Sequence, residues 1–517
     1  MMSQVLKGLG ALATVLLINY VYRRFSSPLI GRPQPKRGSF WITRLGLVPP
    51  PHDGDDMLSE FLIEVGQDQH QSPISVCHSI FGTPLVLVNT LKGIKDVLID
   101  GQAKHKTLGP RVQRGEMIRR IQNLVFGGPS INNAVGDDWR WRRHVLLPPF
   151  QPRQLVPNLL PYVAEQALEA MSLFANHDSN GSPIEVDDVF TDLTMNVINY
   201  YLYGTKDLNF GLVGGRKNLK LGLGFQSFET WLPFGINETS WAQRGYRPSR
   251  ERLKDFIRDA LAIAEKSHQD RDDKKTYDCV AAAALASGKY DHDREELVND
   301  MLSLTFAGYD TTAHTLSFCF SELARNPDLQ DRLFEQIRQV LGPPPVAPDA
   351  ITPEKLAQLP LVTAVYRETL RKYPAVVFIP VHVNRDTVVD GAVVPGGSEI
   401  WCNIRGLQMN PDIFPDPEKF NIDRWIPPAT FVPGDENSQD DISWTPENQH
   451  RFPDVSFTLG QHSCLGKHLA ILELRTVIAS AINQYRMTLA PWNKIETKIV
   501  LTTKPKNGVW VHFDKRE

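Results

Sequence analysis

The stretch that most constrains this chain is FTLGQHSCLGKHLA, Phe457 to Ala470, where Cys464 sits between Gly460 and Gly466 and an apolar helical pattern starts straight after it. A thiolate is a strong, soft ligand only if its charge is stabilised, and a helix amino terminus does this with free N–H groups and the positive end of its dipole. Leu465, Leu469 and Leu472, with Ile471 and Val477 beside them, have the spacing of such a helix. The glycines let the backbone pass close to something flat, where a Cβ would collide. A single cysteine in this setting suits one axial ligand to a large planar cofactor. An inert cysteine ahead of an ordinary helix is the alternative that the loop alone leaves open.

Cys77, Cys279, Cys319 and Cys402 are scattered and never paired as CxxC. That argues against a zinc cage or a disulfide framework and fits a reducing compartment, with these four as small buried hydrophobes. Basic side chains are balanced by acids, for a formal net charge of −3, so the chain carries no nucleic-acid footprint.

The amino end has an apolar run from about Leu9 to Tyr22, with Lys7 before it and Arg23 and Arg24 after it. A spanning helix takes about 20 apolar residues, reached here if Val5 and Leu6 are counted and Lys7 snorkels. No small-residue cleavage site precedes the basic cluster, so residues 1–24 are expected to form a retained single-pass anchor with the rest of the chain cytoplasmic. The sequons at Asn180 and Asn237 should then stay bare. Residues 25–52 read as a Pro- and Gly-bearing linker ending in Pro49 to Pro51, and residues 53–517 as one domain without internal repeats.

Most of that domain has helical patterning, including a proline-free stretch from about Asp293 to Arg325 that Asn326-Pro327 ends. Runs of β type near Thr83, near Asp386 and from Ile499 to Phe513 are separated by Gly and Pro. The expected class is mainly α with small β-sheets (α+β). The acidic segment between Pro427 and Pro453 reads as a long surface loop, an insertion by its length.

Three further stretches carry pattern. In LTFAGYDTTAHT, inside the long helix, the stripe Leu297, Met301, Leu304, Gly308, Thr311, Thr315 changes from bulky apolar residues to a glycine and hydroxyls, as a buried face does to leave space. By themselves Asp310 and Thr311 there could equally be a solvated acid and a hydroxyl bonded back to the preceding turn. In VYRETLRKYP, Glu368 and Arg371 share a helix face at i and i+3, a pair worth only about 0.2–0.5 kcal/mol on a surface. In GDDWRWRRHVLLPPF, Trp139 and Arg143 fall on one helix, a pattern that a packed surface helix also produces.

Phe457, Gly460, His462, Cys464 and Gly466 match FxxGx(R/H)xCxG, the haem loop of the cytochrome P-450 family, and with the other motifs in order the chain resembles that family along nearly its whole length after the anchor. The resemblance implies the cytochrome P-450 fold over residues 53–517, with haem b (iron protoporphyrin IX) between the long helix and the cysteine loop. Cys464 would be the proximal thiolate, pushing electron density toward oxygen. His462 stands where the family more often has Arg; its implied task is a hydrogen bond to a haem propionate, with more pH dependence. The long-helix stretch resembles (A/G)Gx(D/E)T(T/S), which implies that Asp310 and Thr311 relay protons to dioxygen. Glu368 and Arg371 match ExxR, and Arg424 in FPDPEKFNIDRW would complete a buried network supporting the haem loop, although Ile422 and Asp423 stand where the family often has Pro and Glu. Trp139 and Arg143 resemble the WxxxR helix, whose N–H and guanidinium donors suit a propionate, with Trp141 and Arg142 as alternatives. His382 lies near where relatives place another propionate partner.

The family's substrate pocket lies over the haem. Carried onto this chain it would be lined by Phe306 and Ala307 in the helix and by Val376, Val377, Phe378 and Ile379 after the ExxR helix. So apolar a wall implies a lipophilic small molecule: a steroid, terpenoid, polyketide or fatty acid. The sequence holds no GxGxxG, so electrons would come from NADPH through a separate flavoprotein, NADPH-cytochrome P-450 reductase, with cytochrome b5 as a further candidate donor. The anchor and this partnership place the chain on the endoplasmic reticulum membrane. An O2-dependent monooxygenase is the leading expectation, in the manner of secondary metabolism. A reductase-independent isomerase or dehydratase and a non-catalytic haem sensor or carrier are the alternatives, neither of which needs the pair Asp310 and Thr311.

Overall fold

The longest apolar pattern becomes the central helix. Arg294–Ala324 is helical for 31 residues, opened by the Asp293 side chain accepting from the Glu295 N–H. Asn326-Pro327 ends it, because a proline disfavours helix at the residue before it. From Leu297 onward almost every side chain is buried, so the helix runs through the core rather than over it.

The computed structural model describes residues 57–67, 73–77, 84–102, 110–178, 181–206, 241–270, 277, 279–426, 454–499 and 501–516, with positions 14, 15, 18 and 29 in isolation. In chain order the principal helices are α1 (Met57–Gln67), α2 (Glu116–Phe126), α3 (Gly136–Leu146), α4 (Pro152–Asp178), α5 (Val186–Tyr203), α6 (Trp241–Gln269), α7 (Arg294–Ala324), α8 (Pro327–Leu341), α9 (Pro360–Lys372) and α10 (Lys467–Gln484). The strands are short: β1 (Ile74–Cys77), β2 (Leu85–Val88), β3 (Val112–Arg114), β4 (Ile184–Glu185), β5 (Phe378–Val383), β6 (Thr387–Val389), β7 (Ala392–Val394), β8 (Glu399–Asn403), β9 (Tyr485–Leu489), β10 (Thr497–Ile499), β11 (Thr503–Pro505) and β12 (Trp510–Lys515). The protein is thus mainly α with small sheets.

The largest sheet has five strands in the order β1-β2-β8-β5-β3, antiparallel except where β2 runs parallel to β8. Its β-branched strands build one apolar cluster with Ile94, Val97 and Leu98. The larger cluster gathers around α4, α5, α7, α9 and α10. Between β6 and β7 the chain reverses through Asp390 and Gly391, both at positive φ, the requirement of a type I′ hairpin turn. Gly308 lets α5 approach α7 closely, since a Cβ there would stand 2.6 Å from Ile198 Cγ1.

Among the described residues no helix is long and apolar enough to cross a membrane. The anchor expected over 1–24 and the linker expected over 25–52 lie outside them apart from positions 14, 15, 18 and 29, as do Asn180, Asn237 and the loop expected between 427 and 453.

Candidate active site

The loop ahead of α10 is shaped by its own backbone. The Cys464 N–H donates to the Phe457 carbonyl at 2.9 Å and the Ser463 N–H to the Gly460 carbonyl at 3.0 Å. The two glycines have different reasons. Gly460 sits at φ +72°, and a Cβ there would strike the Leu98 carbonyl, so left-handed backbone and a neighbouring chain demand it rather than a flat ligand. Gly466 has an ordinary φ of −88°, and no protein atom lies within 4 Å of where its Cβ would be. Nothing in the polypeptide requires glycine at that point; the open space belongs to the cavity beside Cys464.

That cavity, of about 260 Å³, is many times what one water needs, so it is built for a large group. Cys464 and Gly466 line one side, with Phe457. Cys464 is exposed toward the cavity but otherwise enclosed by protein; burial pushes its thiol up, while the Gly466 N–H and the charges of Arg143 and Lys467 pull it down. The other four cysteines are buried. Among the described residues no group of three or more His, Cys, Asp or Glu is arranged to hold a metal ion, which leaves Cys464 as a lone ligand candidate.

The cavity is also lined by α7, which presents Leu304, Ala307, Gly308, Thr311, Thr312 and Thr315. The changeover to small and hydroxyl side chains falls where the helix meets the cavity. Thr311 lines it, with its hydroxyl donating to the Ala307 carbonyl at 3.0 Å. Asp310 is placed differently. Its Oδ2 accepts from the Thr502 hydroxyl and its Oδ1 lies 3.4 Å from His314 Nε2, on a buried flank of the helix. Burial opposes its charge, but His314, Lys504 and Thr502 more than compensate and hold it down at about 2.

One wall of the cavity is a pocket of donors without acids. Trp139, Arg143, His462 and Arg114 all line it. Trp139 and His462 pack with ring centroids 3.8 Å apart, and Arg143 donates to the Ser463 carbonyl at 3.1 Å. Trp139 Nε1, His462 Nδ1 and Arg114 Nε are buried without a hydrogen-bond partner. Burial and the neighbouring Arg143 and Arg119 push Arg114 down to about 10, and burial with Arg114 and Arg143 pushes His462 down to about 3. Converging orphan donors of this kind fit a bound carboxylate. With the room beside Gly466 and the lone thiol, the site suits a large planar group bearing acidic tails, as haem is.

The alternatives on α3 are occupied elsewhere. Arg142 is wholly buried against Asp138 at 2.8 Å, Glu296 at 2.8 Å and Asp300 at 2.6 Å, and Trp141 donates to Asp138 at 3.0 Å. His382 pairs with Glu399 at 2.8 Å, whereas Arg114, absent from the sequence expectation, reaches the cavity from the neighbouring β3.

Glu368 and Arg371 form a buried bidentate pair at 2.8 and 2.9 Å, and Arg424 Nε lies 3.4 Å from the same carboxylate. Trp425, with no role in the sequence expectation, donates to Glu368 at 2.8 Å. Gln408 then reaches Ser456 at 3.2 Å, tying this network toward the cysteine loop.

The expected substrate wall needs correction. Phe306 packs on Phe126 and Tyr309, with centroids 6.2 and 5.8 Å away, Val377 is buried, and Phe378 stacks on Trp401 at 4.1 Å; none of the three lines the cavity. Ala307, Val376 and Ile379 do. A run of four apolar residues entering a strand cannot put all its side chains on one side.

Comparison with known proteins agrees with this geometry. The family model for cytochrome P-450 matches residues 61–511. Human cytochrome P-450 4F8 is 24% identical over 541 aligned residues, covering 97% of this chain and 94% of its own length. The cyclooctat-9-en-7-ol 5-monooxygenase of Streptomyces melanosporofaciens is 26% identical, over 74% of this chain and 78% of that protein. A cyanobacterial structure, the retinoic acid bound CYP120A1, superposes with a TM-score of 0.69 at 20% identity, covering 91% of this chain and all of that one. A cavity lined by both a cysteine and a hydroxyl-bearing helix accords with that match. The chain belongs to the cytochrome P-450 family and is a monooxygenase.

Proposed function

We propose that this monooxygenase hydroxylates a lipophilic small molecule, with Cys464 as the thiolate that would hold its haem iron and electrons drawn from NADPH through a separate flavoprotein reductase on the endoplasmic reticulum membrane. The observation that carries the reading is the cavity itself: one space lined by the cysteine, the orphan donors and Thr311, with Ile131, Phe150, Leu304, Val376 and Ile379 supplying the apolar remainder. When bound, haem supplies the chemistry that splits O2, one atom entering the substrate and the other leaving as water with two protons and two electrons. Trp139, Arg143, Arg114 and His462 would hold the acidic tails. Thr311, which lines the cavity, would pass a proton through its hydroxyl on leaving the Ala307 carbonyl, and Asp310 one residue earlier would resupply it. The anchor over 1–24 keeps the chain beside its reductase, with cytochrome b5 as a second donor. A relative named for acting on cyclooctat-9-en-7-ol supports a largely hydrocarbon substrate.

Purified ferric protein titrated with steroids, terpenoids, polyketides and fatty acids should give a low-to-high-spin Soret shift with one class. Cys464→Ala should lose the thiolate-ligated ferrous carbonyl spectrum. An unchanged spectrum in that variant sinks the ligand assignment.

A further inference from the structure

The acid beside the active hydroxyl has its own supply problem. Asp310 is buried, it is turned away from the cavity, and each turnover of the proposed relay must return a proton to it. His314 lies one helical turn further along α7, with Nε2 3.4 Å from Asp310 Oδ1 and no well-aligned hydrogen bond on that nitrogen. Its other nitrogen, Nδ1, is 2.8 Å from Asp187 Oδ1, which also accepts from Ser317 at 2.7 Å. Asp187 belongs to the first turn of α5 and leaves the core: its side chain is 20% exposed, against 8% for His314, and the next residue, Asp188, is exposed. Three titratable groups from two helices therefore form a line from the surface to the residue preceding Thr311.

We propose that Asp187 and His314 are the proton-supply line that recharges Asp310 from the flank of α7 opposite the cavity. The inference rests on the reading of Asp310 and Thr311 as a relay. Imidazole suits the middle position because its two ring nitrogens face different partners, so one can give a proton while the other receives one. The step balances without any redox change: the imidazolium passes its Nε2 proton to Asp310 Oδ1 and is left neutral with hydrogen on Nδ1, exchange to the Nε2–H tautomer frees Nδ1, and Nδ1 then takes a solvent proton from protonated Asp187 to restore the imidazolium. The groups facing His314 favour the charged ring. Burial lowers its pKa, but Asp310 and Asp187 outweigh that and raise it to about 9, and Lys504 stands beyond Asp310. His314 acts through Asp310 and touches no reacting atom.

The test compares His314→Gln and Asp187→Asn with Asp310→Asn and Thr311→Ala in the full-length haem-loaded protein with its reductase. Peroxide released per O2 consumed and the solvent isotope effect are measured, together with ¹⁵N-histidine NMR of the diamagnetic ferrous carbonyl form. The expected result is a several-fold rise in peroxide and a larger isotope effect in His314→Gln and Asp187→Asn, at unchanged Soret response to ligand. The His314 ring should be doubly protonated at neutral pH in the parent and lose that state in Asp187→Asn. A purely structural role for His314 would shift the thermal midpoint without enlarging the isotope effect, and that outcome overturns the proposal. If His314→Gln does not fold, Asp187→Asn in the partly exposed first turn of α5 decides alone. Coupled turnover in both new variants while Asp310→Asn and Thr311→Ala leak peroxide removes the supply line and leaves the relay. Coupled turnover in all four removes both.

Discussion

Replacing Glu368 by glutamine preserves the shape of a side chain on which five donors converge and removes its charge. The donors are Arg371 Nε and Nη2, the Asn421 N–H, Trp425 Nε1 and, more distantly, Arg424 Nε. Glu368 and Arg371 are 0% and 1% exposed, so water cannot replace what the carboxylate supplied. Removing one side of a buried pair costs about 3–5 kcal/mol, a large share of a domain stability of about 5–15 kcal/mol. Arg371→Met should cost at least as much, because Arg371 also donates to the carbonyls of Gln408 at 3.0 Å and Pro417 at 2.8 Å, and each buried carbonyl left unpaired adds about 1–3 kcal/mol. In the double variant no unpaired charge of the pair remains, so its cost should fall well short of the sum of the singles. Urea unfolding midpoints of the haem-loaded proteins, read beside haem content, measure all three. A cost under about 1 kcal/mol for Glu368→Gln, the scale of an exposed pair, or strict additivity in the double, would refute the reasoning.

The two glycines of the cysteine loop should separate in the same assays. Gly460→Ala strains a left-handed backbone against the Leu98 carbonyl and should lower the thermal midpoint, whereas Gly466→Leu should leave the midpoint of haem-free protein nearly unchanged and suppress the Soret band on haem addition. Arg114→Ala should weaken haem retention, measured by transfer to apomyoglobin, with little loss of fold, since Arg114 Nε has no protein partner to forfeit. The Asp310 and His314 pair gives stability a pH signature. The His314 pKa is raised from 6.5 to about 9, so its contribution is complete below 6.5 and fades as pH rises through about 9. The Asp310 pKa is lowered from 3.8 to about 2, so its contribution is complete above 3.8 and fades as pH falls through about 2. The difference in thermal midpoint between parent and His314→Gln should therefore be largest between about pH 4 and 6.5 and shrink toward pH 9 and above; a flat difference from pH 5 to 10 would contradict it.

What the sequence made legible was local. The central helix could be bounded to within a residue at each end because its start and stop are carried by Asp293 and Pro327 themselves. The changing stripe from Leu304 to Thr315 was readable because a helix returns to the same face every three or four residues. What escaped depends on partners far along the chain. Arg114 is a single arginine on a three-residue strand, and only pairing with β5 brings it to the cavity. Val376 and Val377 look equivalent in sequence, yet one lines the cavity and the other is buried away from it. Asp310 is the sharpest case. Its position beside Thr311 is a matter of one residue, but its orientation is set by Thr502, 192 residues on, and its charge by a histidine whose other nitrogen bonds a residue 127 positions earlier. A motif can therefore name the acid and the hydroxyl of a proposed relay while staying silent on which residues surround the acid. On the flank of α7 away from the cavity, a proposed route must pass between neighbouring elements, and α5 brings the partly exposed Asp187 carboxylate to His314 there.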